Sequence, residues 1–99
     1  MKKYIVCIGS GIYQIGLLKK IKKLNYCSIS VDQEKYAPGF KFSDRKIVLS
    51  TNKIKEVIQE LKKNKLNKKI IAVMTQSGTF SAITVSSIAT NLQLRTLNL

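Results

Sequence analysis

Apolar residues follow two alternating spacings along this chain. Tyr4-Ile5-Val6-Cys7-Ile8 is a continuous apolar run halted by Gly9-Ser10-Gly11. A run that is apolar at every position suits a strand covered on both faces, as in a parallel sheet. From Ile12 to Asn25 the period lengthens. Leu17, Leu18, Ile21 and Leu24 fall at helical spacing, with Lys19, Lys20, Lys22 and Lys23 around the other face. Asn25 is a suitable helix stop. Tyr26 to Val31 predicts a second strand ending at Asp32, followed by a polar loop that holds the one proline, in Tyr36-Ala37-Pro38-Gly39.

Lys46-Ile47-Val48-Leu49 predicts a third strand, and Ser50, Thr51 or Asn52 can cap the helix after it. Ile54, Val57, Ile58 and Leu61 keep the i, i+3, i+4, i+7 spacing of one buried helix face. Ile70 to Thr75 is the most apolar strand and is expected to be central. Gln76-Ser77-Gly78-Thr79 reads as a turn and Phe80 to Asn91 as a third helix, although Thr84, Val85, Ser86, Ser87 and Thr90 are poor helix formers. Room for the start of a fifth strand remains beyond Leu92. Alternating strands and helices predict an α/β, Rossmann-like open parallel sheet of about four strands in the order 3-2-1-4, with helices on both faces. The 99 residues suffice for a single domain with one core.

Charge changes this picture less than its size suggests. Eighteen Lys+Arg against five Asp+Glu give a net charge of +13, but only Arg45 and Arg95 are arginine. A dedicated nucleic-acid reader favours Arg forks and an aromatic stacking face. Pairs such as Lys19-Lys20 and Lys62-Lys63 read instead as solvated helix surface. Weak, salt-sensitive, sequence-blind attraction to polyanions is expected, and no specific nucleic acid. A hydrophobic content of 44% excludes a disordered basic tail. The longest apolar run, Ile70 to Met74, is far shorter than the roughly 20 residues of a membrane span. The N-terminus lacks a signal-peptide cleavage pattern, so a cytoplasmic location is expected. Cys7 and Cys27 have no histidine to join them in a zinc site and are expected to be thiols acting as small apolar groups.

Gly9-Ser10-Gly11-Ile12-Tyr13-Gln14-Ile15-Gly16 leaves the first strand and opens the first helix, the context a dinucleotide fingerprint requires. Asp32 stands at the end of the second strand, where such a domain places its ribose-binding carboxylate. Gln14, however, occupies the place of the third glycine, and no Gly-Lys-Ser/Thr of a Walker loop follows. Three readings stand at this point: a plain strand-to-helix turn, an anion or phosphate contact, and an NAD site. No catalytic constellation is present. Glu56 and Glu60, one turn apart on a lysine-rich helix, read as surface.

The ordered set of motifs resembles the N-terminal (pre-ATP-grasp) domain of ATP-grasp ligases of the biotin carboxylase and carbamoyl-phosphate synthase large-subunit type. That family's strand runs into Gly-x-Gly-x-x-Gln, here Gly9-Ser10-Gly11-Ile12-Tyr13-Gln14. Its second strand ends in Asp, followed by an Ala-Pro-Gly-Phe-like segment and a further Asp, here Asp32, Ala37-Pro38-Gly39-Phe40 and Asp44. Its fourth strand meets Ser-Gly and a Thr-x-x-x-Ile-Ala-x-x-Leu-x-Leu helix, here Ser77-Gly78 and Thr84 to Leu94. Where the family continues with Pro-Gly, this chain has Arg95-Thr96.

The resemblance covers almost all of the chain. It implies a ligase that activates a carboxylate with ATP and joins it to an amine or thiol. ATP and magnesium would be held in catalytic ATP-grasp domains that lie outside this segment, in the same polypeptide. This domain is then not expected to be active alone, or to bind a cofactor tightly. A small carboxylate or other anion would meet Gly9, Ser10, Gly11, Ile12, Tyr13, Gln14, Asp32, Ser77 and Gly78 at the carboxyl edge of the sheet. An uncovered interdomain face would show itself as self-association.

Overall fold

The computed structural model describes residues 3–63, 69–75 and 95–98. Strands β1 (Tyr4–Ile8), β2 (Cys27–Asp32), β3 (Arg45–Val48), β4 (Ile70–Thr75) and β5 (Arg95–Asn98) form one sheet in the order β3-β2-β1-β4-β5. All four neighbouring pairs are parallel. The first four strands take the expected order, and the space left beyond Leu92 becomes a fifth strand on the outer side of β4. The predicted turn Gln76–Thr79 and helix Phe80–Asn91 lie outside the described residues. Strand β1, rather than the more apolar β4, is the middle of the five; β4 lies one place to its side.

The apolar pattern divides between two faces because successive strand residues point to opposite sides. On one face, Leu17, Leu18 and Ile21 of helix α1 (Ile15–Lys23) pack with Ile5, Cys7, Ala72 and Met74. On the other, Val57, Ile58 and Leu61 of helix α2 (Ile54–Lys63) pack with Val6, Ile8, Ile29, Val31 and Val73. Every residue of β1 is buried, as its continuous apolar run predicts. The ladder between β1 and β4 shifts register after Tyr4, which faces Ile70 while Ile5 faces Ala72. Ile71 is the residue left over, and it is partly exposed.

Local chemistry sets the ends of α1. The expected helix from Ile12 begins as a 3-10 turn, Ile12–Gln14, before α1 proper starts at Ile15. Asn25 ends it with a left-handed φ of 66°, a conformation Asn tolerates better than most residues. The amides of Leu24, Asn25 and Tyr26 then donate to the carbonyls of Lys20, Lys22 and Ile21, satisfying the last turn. Ahead of α2, the Ser50 hydroxyl accepts the Asn52 amide and the Ser50 carbonyl accepts that of Lys53, so this segment forms the turn that feeds the helix.

Between β2 and β3 the chain makes a second 3-10 turn, Pro38–Phe42. Strand β2 presents Ser28 and Ser30, both buried, to this part of the chain. Buried hydroxyls need partners. Ser30 Oγ meets Ser43 Oγ, and Ser28 exchanges bonds with Asp44: its amide donates to Asp44 Oδ2 at 2.9 Å, and its hydroxyl accepts the Asp44 amide at 3.2 Å. Asp44 is therefore a brace that starts β3, which explains an acid at that place without invoking catalysis.

Candidate functional site at the glycine loop

Three segments meet at the carboxyl edge of the sheet: the loop after β1, the end of β2 and the turn after β3. Gly9 has a φ of 92°, which side-chain-bearing residues rarely adopt, and its amide donates to the Val31 carbonyl at 2.7 Å. This turns the chain from β1 over the end of β2. Asp32 then fixes the loop. Its Oδ2 accepts the Ser10 amide at 2.8 Å and its Oδ1 accepts the Glu34 amide at 2.9 Å. Both oxygens of this carboxylate thus serve the protein's own backbone. A dinucleotide site would require Asp32 to bind ribose hydroxyls, and this geometry gives it other work.

Ser10 is fully buried, because the Pro38–Phe42 turn sits on it. The Gly39 amide donates to the Ser10 carbonyl at 2.7 Å. A Cβ on Gly39 would lie 2.6 Å from that same carbonyl oxygen, so glycine is required for the close approach. The Ala37-Pro38-Gly39-Phe40 motif therefore has a physical role: it clamps the glycine loop from the α1 side.

Gly11 is different. Its backbone is extended, with φ −72° and ψ −177°, and a Cβ there would meet nothing within 4 Å among the described residues. Neither conformation nor packing explains this glycine. It borders a cleft of about 320 Å3 lined by Gly9, Gly11, Tyr13, Gln14 and Asp32, with Gln33 and the Ser50-Thr51-Asn52 turn opposite. Gln14 is buried, whereas Ile12 and Tyr13 are 68% and 87% exposed, so the rim carries apolar surface.

Of the residues singled out in the sequence, Gly9 to Gln14 and Asp32 come together here; Ser77 and Gly78 lie outside the described residues. Gln33, Ser50, Thr51 and Asn52 add polar groups that sequence reasoning did not assign to the site. Their position just past the carboxyl ends of β2 and β3 was the available signal, since ligands of open α/β sheets collect there.

The cleft lining contains hydroxyl and amide donors and no Lys or Arg. Three or more His, Cys, Asp or Glu gathered as for a metal ion do not occur among the described residues. The lining holds one carboxylate, Asp32, and both of its oxygens already accept backbone amides. Cys7 lies fully buried in the α1 face, and burial pushes its thiol up from 9.0 to about 12, so it is an inert packing group. No helix among the described residues is long and apolar enough to cross a membrane.

No protein-family model matches the chain, and no curated protein matches it in sequence. Solved structures do match. Phosphoribosylglycinamide synthetase from Anaerococcus prevotii superposes with a TM-score of 0.80 at 23% identity, covering 99% of this chain and 24% of that one. N5-carboxyaminoimidazole synthetase from Staphylococcus aureus, complexed with ADP, gives 0.72 at 16% identity over 97% of this chain and 24% of that one. Kluyveromyces lactis urea carboxylase gives 0.72 at 16% identity over 95% and 9%. These neighbours are ATP-grasp ligases. What the chain shares with them is the fold. It spans about a quarter of the length of the first of these structures.

Proposed function

We propose that this chain is the N-terminal, pre-ATP-grasp domain of an ATP-dependent carboxylate ligase, with its glycine-loop cleft facing the substrate. The observation that carries this reading is Gly11, a glycine for which neither its conformation nor its packing among the described residues calls, beside a cleft lined by hydroxyl and amide groups. Gly9, Asp32 and Gly39 shape the loop. The open side of Gly11 lets a ligand approach the backbone, and Tyr13, Gln33 and the Ser50-Thr51-Asn52 turn supply polar contacts. The first amides of the 3-10 turn have no preceding helical carbonyl and favour an anion, whereas those of Gln14 and Ile15 already donate to the Gly11 and Ile12 carbonyls. ATP and magnesium, bound on catalytic domains of the same polypeptide, would supply the carboxylate's activation; residues of this chain position the substrate and shield it from water. The exposed Ile12 and Tyr13 would face those domains.

The test is ATP-dependent phosphate release by the polypeptide that carries this domain, wild type against Gly11→Val. The Val backbone fits the extended conformation at this position, so the fold should persist. The expected result is a rise in KM for the carboxylate substrate with KM for ATP unchanged. Product formation from ATP by the 99-residue chain alone would refute the assignment. Micromolar NAD affinity that disappears in Gly11→Val would replace it with a dinucleotide-binding module.

A further inference from the structure

Strand β3 is an outer strand, with β2 on one side and no described strand on the other. It runs parallel to β2, with Val31 beside Ile47 and Asp32 beside Val48, and the Leu49 amide donates to the Asp32 carbonyl at 3.1 Å. Backbone groups alternate sides along a strand. Arg45, Ile47 and Leu49 therefore turn theirs to β2, while Lys46 and Val48 turn N–H and C=O to the open edge. A cleft of about 510 Å3 runs along this strand, lined by Arg45 to Leu49 without a gap, with Ile29 and Glu60. The side chains leave by both faces. Arg45 lies on the α2 side, its guanidinium 5.9 Å from the centre of the Tyr4 ring, and Lys46 on the other, with Nζ 5.7 Å from that of Phe40. Ile47 and Leu49 are half-buried against the α2-side core, and Val48 is 42% exposed.

An edge of outward N–H and C=O groups is a template for another strand. The segment Arg45-Lys46-Ile47-Val48-Leu49 is basic at its start and apolar at its end. Laid antiparallel against itself, its basic end meets its apolar end. We propose that the β3 edge is an interface between two copies of this chain, their β3 strands antiparallel about a two-fold axis at Ile47. Lys46 of each copy then stands opposite Val48 of the other, and these residues exchange the outward N–H and C=O bonds. Arg45 stands opposite Leu49, and Ile47 opposite its own counterpart. No two cations are directly opposed, and the aliphatic stems of Arg45 and Lys46 cover the second copy's Leu49 and Val48. Directly opposite residues share a face, so Ile47 and Leu49 carry the α2-side core across the axis. Such self-complementarity is what a closed two-fold pair requires. One short edge strand buries less than a permanent interface does, so the pair is weak and reversible. Salt separates this occupant from an acidic strand of another protein. Two copies of charge +13 associate more tightly as salt screens them, whereas an acidic partner is held less tightly.

The test is sedimentation equilibrium of the 99-residue chain from about 10 µM to about 1 mM, at about 0.15 M and about 0.5 M salt. The expected result is a monomer–dimer equilibrium that tightens at the higher salt. Val48→Glu sets a carboxylate opposite Lys46 and should tighten the dimer by about threefold or more; Val48→Lys sets like charges opposite and should loosen it by about as much. Lys22→Gln, on the exposed surface of α1, lowers the net charge by the same amount as Val48→Glu and should change the affinity by less than about 1.5-fold. Val48→Pro removes an outward donor, a change that an edge strand tolerates, and should abolish the dimer. Val48 is exposed, so the Glu and Lys variants should fold, and thermal melts of all four check this. As a second measurement, hydrogen exchange should slow most at the Lys46 and Val48 amides as concentration rises. A monomer at every concentration, or equal effects of Val48→Glu and Lys22→Gln, would overturn the proposal. Protection confined to amides away from β3 would overturn it in favour of another face, and association that weakens with salt in favour of a bridging anion. None of these results bears on the ligase reading, because the β3 cleft shares no lining residue with the glycine-loop cleft.

Discussion

Gly39→Ala is expected to destabilise this domain severely although it adds a single methyl group. The new Cβ would lie 2.6 Å from the Ser10 carbonyl oxygen and 3.0 Å from its carbon. An unstrained carbon–oxygen contact needs about 3.3 Å, so the two segments must part by roughly 0.7 Å. The Gly39 amide is bonded to that same oxygen at 2.7 Å. Parting by this amount takes the bond out to roughly 3.4 Å, beyond the normal range. Losing it costs about 0.5–1.5 kcal/mol, and the residual overpacking about 1–3 kcal/mol. The expected loss is therefore about 2–4 kcal/mol, or on the order of 10–30 °C in Tm for a domain of this size. Urea and thermal unfolding followed by circular dichroism would measure it. Gly11→Ala is the matched control: with open space at its Cβ, it should stay within about 0.5 kcal/mol of wild type. If Gly39→Ala melts with the wild type, or Gly11→Ala falls as far, the distinction between a structural glycine and a ligand-facing one is wrong.

Further outcomes follow from the same geometry. Asp32→Asn should cost about 2–3 kcal/mol in urea unfolding, because an amide NH2 replaces one of two oxygens that accept backbone N–H groups. Leu18→Ala, fully buried under the α1 face, should cost about 2–5 kcal/mol by the same assay. In native protein, iodoacetamide should label the half-buried Cys27 and spare Cys7. Unfolded Cys7 ionises near pH 9.0 while the buried thiol holds its proton to about 12, so the folded state binds more protons across that window. Stability should therefore fall as pH rises from about 9 to 12, by at most about 4 kcal/mol from this group, and Cys7→Ala should remove that part of the slope.

Much of the fold was legible because periodicity responds directly to burial. The uniform apolar run of β1 and the helical spacing of Leu17, Leu18 and Ile21 each correspond to one packed face. Boundaries shifted by a residue or so where ladder geometry decides: β2 runs Cys27–Asp32 and β3 Arg45–Val48, one position along or back from the apolar runs that predicted them. Strand β4, expected to be central, is interior with a neighbour on each side, and the fifth strand leaves the middle place to β1.

The glycine loop could be found from its spacing, but the division of labour within it could not. That Asp32 serves backbone amides, and that Gly39 exists for Ser10, depends on contacts between residues 22 and 29 positions apart in sequence.

The central claim is that this domain works as part of a larger ligase. The most direct measurement is the mass of the native polypeptide, detected in extracts of its own cell with an antibody raised against the folded 99-residue chain. With the chain covering 24% of its neighbour, the account predicts a polypeptide of roughly 410 residues, 99 divided by 0.24, or larger. A single band at the mass of 99 residues, migrating alone under native conditions, would contradict it.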